Sequence, residues 1–292
     1  MNDIRFGVNV HAADDGFAAH ARELESLGFD TIFLPDHLGM PAPFPALTAA
    51  AAATERVRVG TYVLNVGFWN TALLAREAAT VDRLSGGRLV LGIGAGHMKS
   101  EFDMAGLAFE PFERRLTKLV DVVDDLDELL SSPDHAPQAV QRPRPPLLIG
   151  GTGDGVLTIA AQRADILGLA GTWQLPGRPP GTFRLISAEE TDERLAFFRS
   201  AAGPRAADIA IDVLVQSVEI TDDRKGAAEK FAAELDNTLT PEEVLETPYV
   251  LFGTVEEIAE QVRARAGRWG IGGFTVHQPS YAAMAKVIAT MR

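Results

Sequence analysis

The sequence predicts a single (β/α)8 TIM barrel that spans residues 1–292. Short runs rich in β-branched residues alternate with longer amphipathic patterns along the chain, as in consecutive βαβ units with a parallel sheet. Eight strand-like runs can be counted, and a chain of 292 residues suits a closed barrel better than a doubly wound open sheet. Polar residues follow several of these runs, where a barrel collects its reactive groups.

The first four strands and their helices follow from apolar runs and from glycine or proline stop signals. The predicted strands are Ile4–Val10, Thr31–Leu34, Val57–Leu64 and Arg88–Ile93. The predicted helices are Gly16–Leu27, Pro45–Thr54, Ala72–Leu84 and Pro111–Leu130. The last helix has apolar residues on one face and acidic residues mainly on the other, so it is expected to pack outside the sheet.

The second half of the chain completes the eight strands. Proline-rich Ser132–Pro146 is a predicted connecting loop. The remaining predicted strands are Leu147–Ile149, Asp165–Leu169, Ile209–Val218 and Gly273–His277, and the helices are Gly155–Arg163, Ala188–Ala202, Val255–Trp269 and Ala282–Met291. Residues 171–184 are rich in glycine and proline and contain Trp173, which predicts a loop that covers a pocket.

Composition limits the classes of function. Hydrophobic residues make up 46% and charged residues 23% of the chain, which is typical of a globular protein. The net charge of -13 disfavours nonspecific binding to nucleic acid or to anionic membranes, so neither is an expected partner. The absence of cysteine excludes disulfides, thiolate nucleophiles and cysteine-based metal sites. No signal-peptide pattern or membrane-spanning run is visible, so a cytoplasmic location is expected.

Polar residues collect after the predicted strands. Four of the six histidines fall at or just after strand ends, together with four side-chain amides and one aspartate. These residues are His11, His37, His97 and His277, with Asn9, Asn65, Gln216, Gln278 and Asp36. A closed barrel brings these side chains together, whereas an open sheet spreads them along one edge. The spacing of the histidines does not indicate a metal site, and none is expected.

Asp36-His37 is the sharpest single feature. An imidazole held by a neighbouring carboxylate or carbonyl at a strand end can serve as acid, base or hydrogen-bond donor near neutral pH. The same dipeptide can also act as a capping pair that orders the following turn. The sequence leaves both interpretations open.

Two glycine clusters follow predicted strands. The first is Gly92–His97, whose glycines permit a close approach of backbone to a planar ligand or phosphate, although its spacing does not match the GxGxxG dinucleotide motif. The second is Gly150–Gly153, where backbone amides and the Thr152 hydroxyl at a helix N-terminus can hold a phosphate. A tight βα turn without a ligand is the alternative for the second cluster.

Five blocks of the sequence resemble the luciferase-like superfamily of barrel oxidoreductases, whose members use FMN or the deazaflavin coenzyme F420. The blocks occur in the family's order and cover most of the chain: LGFDTIFLPDHL, RVRVGTYVLN, LAREAATVDRLSGGRLVLGIGAGHMKSEF, PPLLIGGTGDGVLTIAAQRADILGL and GTVEEIAEQVRARAGRWGIGGFTV. They are most similar to the branch that uses coenzyme F420, particularly to actinobacterial members. The resemblance implies the bacterial luciferase-like form of the TIM barrel.

The resemblance also implies roles for individual residues. Asp36 and His37 match the family's pair after the second strand, where the histidine lies near the reactive ring, and they are the catalytic candidates. The cofactor-binding candidates are Tyr62, Val63 and Asn65 after the third strand, Gly94, Ala95, Gly96 and His97 after the fourth, and Gly150, Gly151, Thr152 and Gly153 beside the phosphate. The family often has a non-proline cis peptide behind the ring, expected here at Tyr62-Val63.

Two positions depart from one branch of the family. In the sugar-phosphate dehydrogenases, the position of Ala95 is similar to an acidic catalytic residue, and a tryptophan follows the Asp-His pair within a few residues. Residues 39–44 of this chain contain no tryptophan. The resemblance therefore does not extend to sugar-phosphate oxidation.

The expected function is an oxidoreductase that transfers a hydride between coenzyme F420 and a small organic substrate, with His37 exchanging the accompanying proton. An FMN-dependent monooxygenase is the alternative, since the family uses both cofactors. A cofactor-binding protein without catalysis and a hydrolase that uses His37 without a cofactor are the non-redox interpretations. The resemblance further implies a homodimer formed through outer barrel elements.

Overall fold

The computed structural model describes residues 4–175, 177–236 and 238–292. Eight parallel strands form the barrel: β1 (Arg5–Asn9), β2 (Thr31–Leu34), β3 (Arg58–Thr61), β4 (Leu89–Gly94), β5 (Leu147–Gly150), β6 (Ile166–Leu169), β7 (Ala210–Val215) and β8 (Gly273–His277). These are the eight runs that the sequence predicted as strands, because the strands of a barrel are buried on both faces and their sequences are correspondingly apolar. The TIM-barrel prediction is confirmed.

Register pairs close the barrel without an edge. Each strand pairs in parallel with its sequence neighbours, and β8 pairs with β1 over five residues, from Arg5 opposite Gly273 to Asn9 opposite His277. The link between β3 and β4 is short, with Val59 opposite Leu89 and Gly60 opposite Val90. Closure directs the C-terminal ends of all eight strands to one end of the barrel.

The third strand is interrupted where the cofactor-side peptide was expected. The Tyr62-Val63 peptide bond is cis, which confirms that prediction. Beyond it, Leu64–Asn65 pairs again with β4, opposite Ile93 and Gly94. The predicted strand Val57–Leu64 is therefore two short segments separated by Tyr62 and Val63.

The helices surround the barrel, and their ends lie within two residues of those predicted. They are Phe17–Ser26, Pro43–Ala53, Thr71–Leu84, Phe112–Ser131, Asp154–Arg163, Ala188–Ala202, Val255–Trp269 and Tyr281–Met291. Local sequence explains the bounds. Val255–Trp269, for example, begins with a capping box between Thr254 and Glu257 and ends at Gly270 in the left-handed conformation. Within the described part of the chain, no helix is long and apolar enough to cross a membrane.

Several short elements were not predicted. The segment 171–184, expected to be a loop, contains an antiparallel hairpin of Thr172–Gln174 and Phe183–Leu185. The predicted strand Ile209–Val218 ends at Val215, and Ser217–Ile220 pairs separately with Val250–Gly253. The other additions are the helices Lys99–Met104, Arg224–Glu234 and Pro241–Glu246 and the 3-10 turns Val66–Phe68, Gly203–Ala207 and Gln278–Ser280. Apart from Arg224–Glu234, which has eleven residues, these elements are three to six residues long and lack the periodicity on which sequence prediction depends.

The apolar interior has two parts. The larger part lies between the barrel and its helices and extends around the whole molecule. A smaller group inside the barrel consists of Phe33, Tyr62, Val90, Leu148 and Leu214. Three of its members lie on β4, β5 and β7, and Tyr62 and Leu214 also line the cavity above. This inner group forms the floor of that cavity.

Candidate active site

One large cavity of about 770 Å³ lies at the C-terminal ends of the strands. Its size is in the range usual for small-molecule and cofactor sites. All thirteen residues proposed from the sequence lie on its wall: Asp36, His37, Tyr62, Val63, Asn65, Gly94, Ala95, Gly96, His97, Gly150, Gly151, Thr152 and Gly153. The structure therefore brings together segments that are more than one hundred residues apart in the chain.

His37 is held by a carboxylate, but not by the adjacent one. Its Nδ1 lies 2.7 Å from Oε1 of Glu101, in the short helix Lys99–Met104. Glu101 is only 9% exposed, whereas the His37 side chain retains 33% of its surface. Because a carboxylate only accepts hydrogen bonds, Nδ1 donates, and in the neutral ring Nε2 is then an acceptor. His37 thus has one fixed nitrogen and one available nitrogen.

The Asp36 carboxylate accepts hydrogen bonds from the segment that follows the neighbouring strand β3. Its Oδ2 accepts hydrogen bonds from the Trp69 indole at 2.9 Å and from the Asn65 backbone N–H at 3.1 Å. Burial raises the pKa of Asp36, although these two donors oppose the shift. The sequence suggested that Asp36 and His37 act on each other or cap a turn. In the structure the two side chains have different partners, and Asp36 connects β2 to the segment after β3.

The four histidines singled out in the sequence share the cavity. The His37 and His97 rings lie edge to face with centroids 5.9 Å apart, and Phe183 of the hairpin packs against His97 at 5.1 Å. The enclosing walls lower the pKa of His97, and the nearby charges of His37 and Arg115 lower it further. His11 and His277 form a second pair at the ends of β1 and β8, described below.

Several glycines at or just after the ends of β4 and β5 leave space that side chains of the protein itself occupy. A Cβ at Gly94 would lie 2.8 Å from the Val63 side chain, and one at Gly150 would lie 2.9 Å from it. A Cβ at Gly96, whose φ is +74°, would lie 2.2 Å from Oδ1 of Asn65. The sequence interpretation assigned this space to a ligand. At Gly94, Gly150 and Gly96 the neighbouring Val63 and Asn65 occupy it, which lets the segment after β3 press against β4 and β5.

The second glycine cluster is open at its last residue, Gly153. A Cβ at Gly153 would meet nothing within 4 Å. Gly153 is also the N-cap of the helix Asp154–Arg163, and no side chain caps this helix. Thr152 beside it is 6% exposed and lines the cavity. The N–H groups of the first helical turn are thus available to an anion.

Two residues of the cavity wall with direct contacts to the candidate site were missed in the sequence. Glu101 carried no local signal, because it lies sixty-four positions from His37 and only the fold brings them together. Arg115 stabilises the Gly94–His97 loop by donating to the Gly96 carbonyl, while its guanidinium stacks 4.2 Å from the Phe109 ring centroid. Both residues line the cavity.

Comparison with models of protein families shows the family to which the chain belongs. The model of the family described as luciferase-like monooxygenase matches residues 5–229, which is most of the chain. The chain belongs to the luciferase-like monooxygenase family. The resemblance that the five sequence blocks suggested is thereby confirmed.

Among luciferase-like relatives, an F420-dependent glucose-6-phosphate dehydrogenase from Nakamurella multipartita is 29% identical over 91% of this chain and 82% of its own length. A 5,10-methylenetetrahydromethanopterin reductase from Archaeoglobus fulgidus is 30% identical over 48% of this chain and 45% of its own. The solved structure of the coenzyme F420-dependent tetrahydromethanopterin reductase from Methanopyrus kandleri superposes with a TM-score of 0.76 at 17% identity, covering 99% of this chain and 100% of that one. This likeness shows that the two chains share the same barrel fold.

Proposed function

We propose that this chain is a coenzyme F420-dependent oxidoreductase that transfers a hydride between the deazaflavin and a small organic substrate. The observation that carries the proposal is the cavity in which a histidine with one available ring nitrogen faces the same space as an uncapped helix N-terminus. The likeness to an F420-dependent dehydrogenase over 91% of the chain supports the choice of cofactor. The family assignment supports redox chemistry in general.

The residues present fit a phosphate-bearing deazaflavin or flavin. Gly151, Thr152 and Gly153 would hold the phosphate, since the space at Gly153 is open and the helix behind it begins without a side-chain cap. Tyr62 and Val63 would lie behind the ring, and Gly94 to His97 would lie beside it. When bound, the deazaflavin supplies the carbon that carries the hydride.

The protein's own groups account for the proton that accompanies a hydride. Glu101 accepts from Nδ1 of His37, which leaves Nε2 free to take a proton from a substrate hydroxyl or to return one to a carbonyl. His37 is thus the catalytic residue, and Glu101 orients its ring. Asp36 contributes through Trp69 and Asn65, by fixing the strand end from which His37 projects.

Two positions of the chain argue against sugar phosphate as the substrate. The relative that matches 91% of this chain is named an F420-dependent glucose-6-phosphate dehydrogenase. This chain has Ala95 where that branch is expected to carry an acid, and it has no tryptophan within residues 39–44. Ala95 is 7% exposed and adjoins Gly96, so no functional group is available at that point of the wall.

Cofactor binding is the first test. Purified protein is titrated separately with coenzyme F420 and with FMN, and fluorescence quenching and retained absorbance after gel filtration are measured. Binding of F420 in preference to FMN supports the proposal. Binding of FMN alone would favour the monooxygenase alternative, and binding of neither would refute both.

The second test separates catalysis from binding. His37→Ala is expected to lower turnover by about 10²–10⁴-fold, the usual contribution of a general acid or base, while changing the F420 dissociation constant less than about threefold. The matched control is His135→Ala, since His135 lies in the loop 132–146, away from the cavity. If His37→Ala turned over substrate like the control, His37 would not be the proton-transfer residue.

A further inference from the structure

A second histidine pair occupies the part of the cavity wall where the barrel closes. Nδ1 of His277 lies 3.1 Å from Nε2 of His11, and the ring centroids are 5.1 Å apart. His277 is the last residue of β8, and His11 follows β1 by two positions. The Gln278 side chain holds the His11 segment by accepting from the backbone N–H groups of His11 and Ala12. The proposed proton transfer at His37 does not use this pair.

The number of protons on the two imidazole rings determines which hydrogen bonds the pair can make with a ligand. One of the two facing nitrogens must donate and the other must accept, so one of them carries no proton. Two neutral rings share two protons, and the hydrogen bond uses one of these. The outer nitrogens, Nδ1 of His11 and Nε2 of His277, therefore present one donor and one acceptor. Among the described residues, neither has a hydrogen-bond partner.

Asn9 adds a third polar group at the same place. It lies opposite His277 in the register of β1 and β8 and lines the cavity. It is 2% exposed, and its Oδ1 has no hydrogen-bond partner in the described part of the chain. Buried polar atoms normally have partners, supplied by the protein, by water or by a ligand. An unpartnered amide beside two imidazoles that face a cavity indicates a site for a polar ligand group.

We propose that His11, His277 and Asn9 form a substrate subsite that binds a neutral hydroxyl group remote from the reacting carbon, because a hydroxyl can both donate and accept. This inference rests on the proposed function, because the ligand is the substrate of the same cavity. It names the substrate class as neutral, at least bifunctional oxygen compounds. The reacting group faces His37, and the second group accepts from and donates to the histidine pair.

The environment of the pair disfavours an anionic group. Burial, with a smaller contribution from the charge of His11, lowers the pKa of His277 to about 4. Burial also lowers the pKa of His11, with an additional contribution from the charge of His37. Both rings are therefore neutral near neutral pH, and no cation at this subsite offsets the desolvation of a phosphate or carboxylate. A neutral group incurs no such penalty.

The decisive experiment observes the rings directly. Protein carrying isotopically labelled histidine, with and without F420, is titrated with a cyclohexanediol, cyclohexanol and cyclohexyl phosphate, and the imidazole nitrogen resonances are followed by NMR. His11→Phe and His277→Phe provide the assignments. Selective shifts of the His11 and His277 resonances with the diol support the subsite. Absence of these shifts, or equal shifts with the phosphate, would overturn it.

Kinetics give an independent measurement. With F420, the wild type is expected to prefer the diol over cyclohexanol by about 10–100-fold in kcat/KM, mainly through KM, since losing one buried hydrogen-bond partner has effects of this size. In His277→Phe this ratio falls to about one, and His11→Phe adds nothing to it, because the pair acts as a unit. A preference retained in the variants would refute the subsite. Failure of F420 to bind, with the NMR shifts present, would refute only the proposed function.

Discussion

Replacing Asp212 should change how stability depends on pH. Asp212 lies on β7 with its side chain inside the barrel, where Oδ1 has no hydrogen-bond partner among the described residues. A Cβ at Gly273 on the neighbouring strand would lie 2.1 Å from Oδ2, so the carboxyl fills the space that this glycine leaves. Burial raises the pKa of Asp212 from 3.8 to about 7, although the Thr275 and Tyr62 hydroxyls oppose the shift.

Proton linkage determines the sign and the size of this pH dependence of stability. A carboxyl whose pKa is raised by folding binds more protons in the folded state, so stability falls as pH rises from about 4 through about 7. A shift of this size corresponds to about 4 kcal/mol. Asp212 retains some accessible surface, so solvent screening reduces the expected loss to roughly 2 kcal/mol. Asp212→Asn removes the ionisable group and with it this part of the pH dependence.

The assay is urea unfolding of wild type and Asp212→Asn at about pH 5 and about pH 8, with constant salt. The free energy of unfolding of the variant relative to wild type should increase by about 1–3 kcal/mol between the two conditions. Asp121→Asn, at an exposed position of the helix Phe112–Ser131, is the matched control and should leave the pH dependence unchanged. If the free energy of unfolding changed equally with pH in wild type and in Asp212→Asn, the raised pKa of the buried Asp212 carboxyl would be refuted.

Two further predictions concern the active site. Glu101→Gln should lower turnover by about 10–100-fold while changing F420 binding little, because an amide no longer fixes Nδ1 of His37 as the donor; unchanged turnover would contradict the orienting role. Gly96→Ala should destabilise the protein by about 1–3 kcal/mol in thermal or urea unfolding, since the new Cβ meets Asn65 and φ is positive. Gly267→Ala, in open helical surroundings, should instead stabilise by about 0.5–1 kcal/mol, and equal effects of the two would refute the steric explanation.

The candidate site was predictable as a set of segments but not as a set of contacts. Strand-terminal residues such as His37 and His97 can be assigned to one end of a barrel from the sequence alone, because parallel strands direct their C-terminal ends to one side. The partner of each side chain depends on tertiary packing. Asp36 adjoins His37 in the chain, yet Asp36 bonds Trp69 and His37 bonds Glu101.

The glycines were likewise predictable as sites of close backbone approach, but their contacts were not. Their occurrence after β4 and β5 predicted a close backbone approach, and the approach is real. Its cause was assigned to a ligand, whereas Val63 and Asn65 provide it at Gly94, Gly150 and Gly96. A glycine in a sequence reports that a Cβ is not tolerated, and it carries no information about which atom would collide with it. Among the glycines of these two clusters, the space remains open at Gly153.

By itself, the sequence determined the fold class, the eight barrel strands and the end of the barrel at which the candidate site lies. These depend on local hydrophobic periodicity and on the rule that a closed parallel sheet has one catalytic face. The tertiary structure decided which carboxylate orients His37, how His11 meets His277 and where Asp212 is buried. The physical reason is that such contacts join residues tens to hundreds of positions apart, and their distances are set only when the barrel closes.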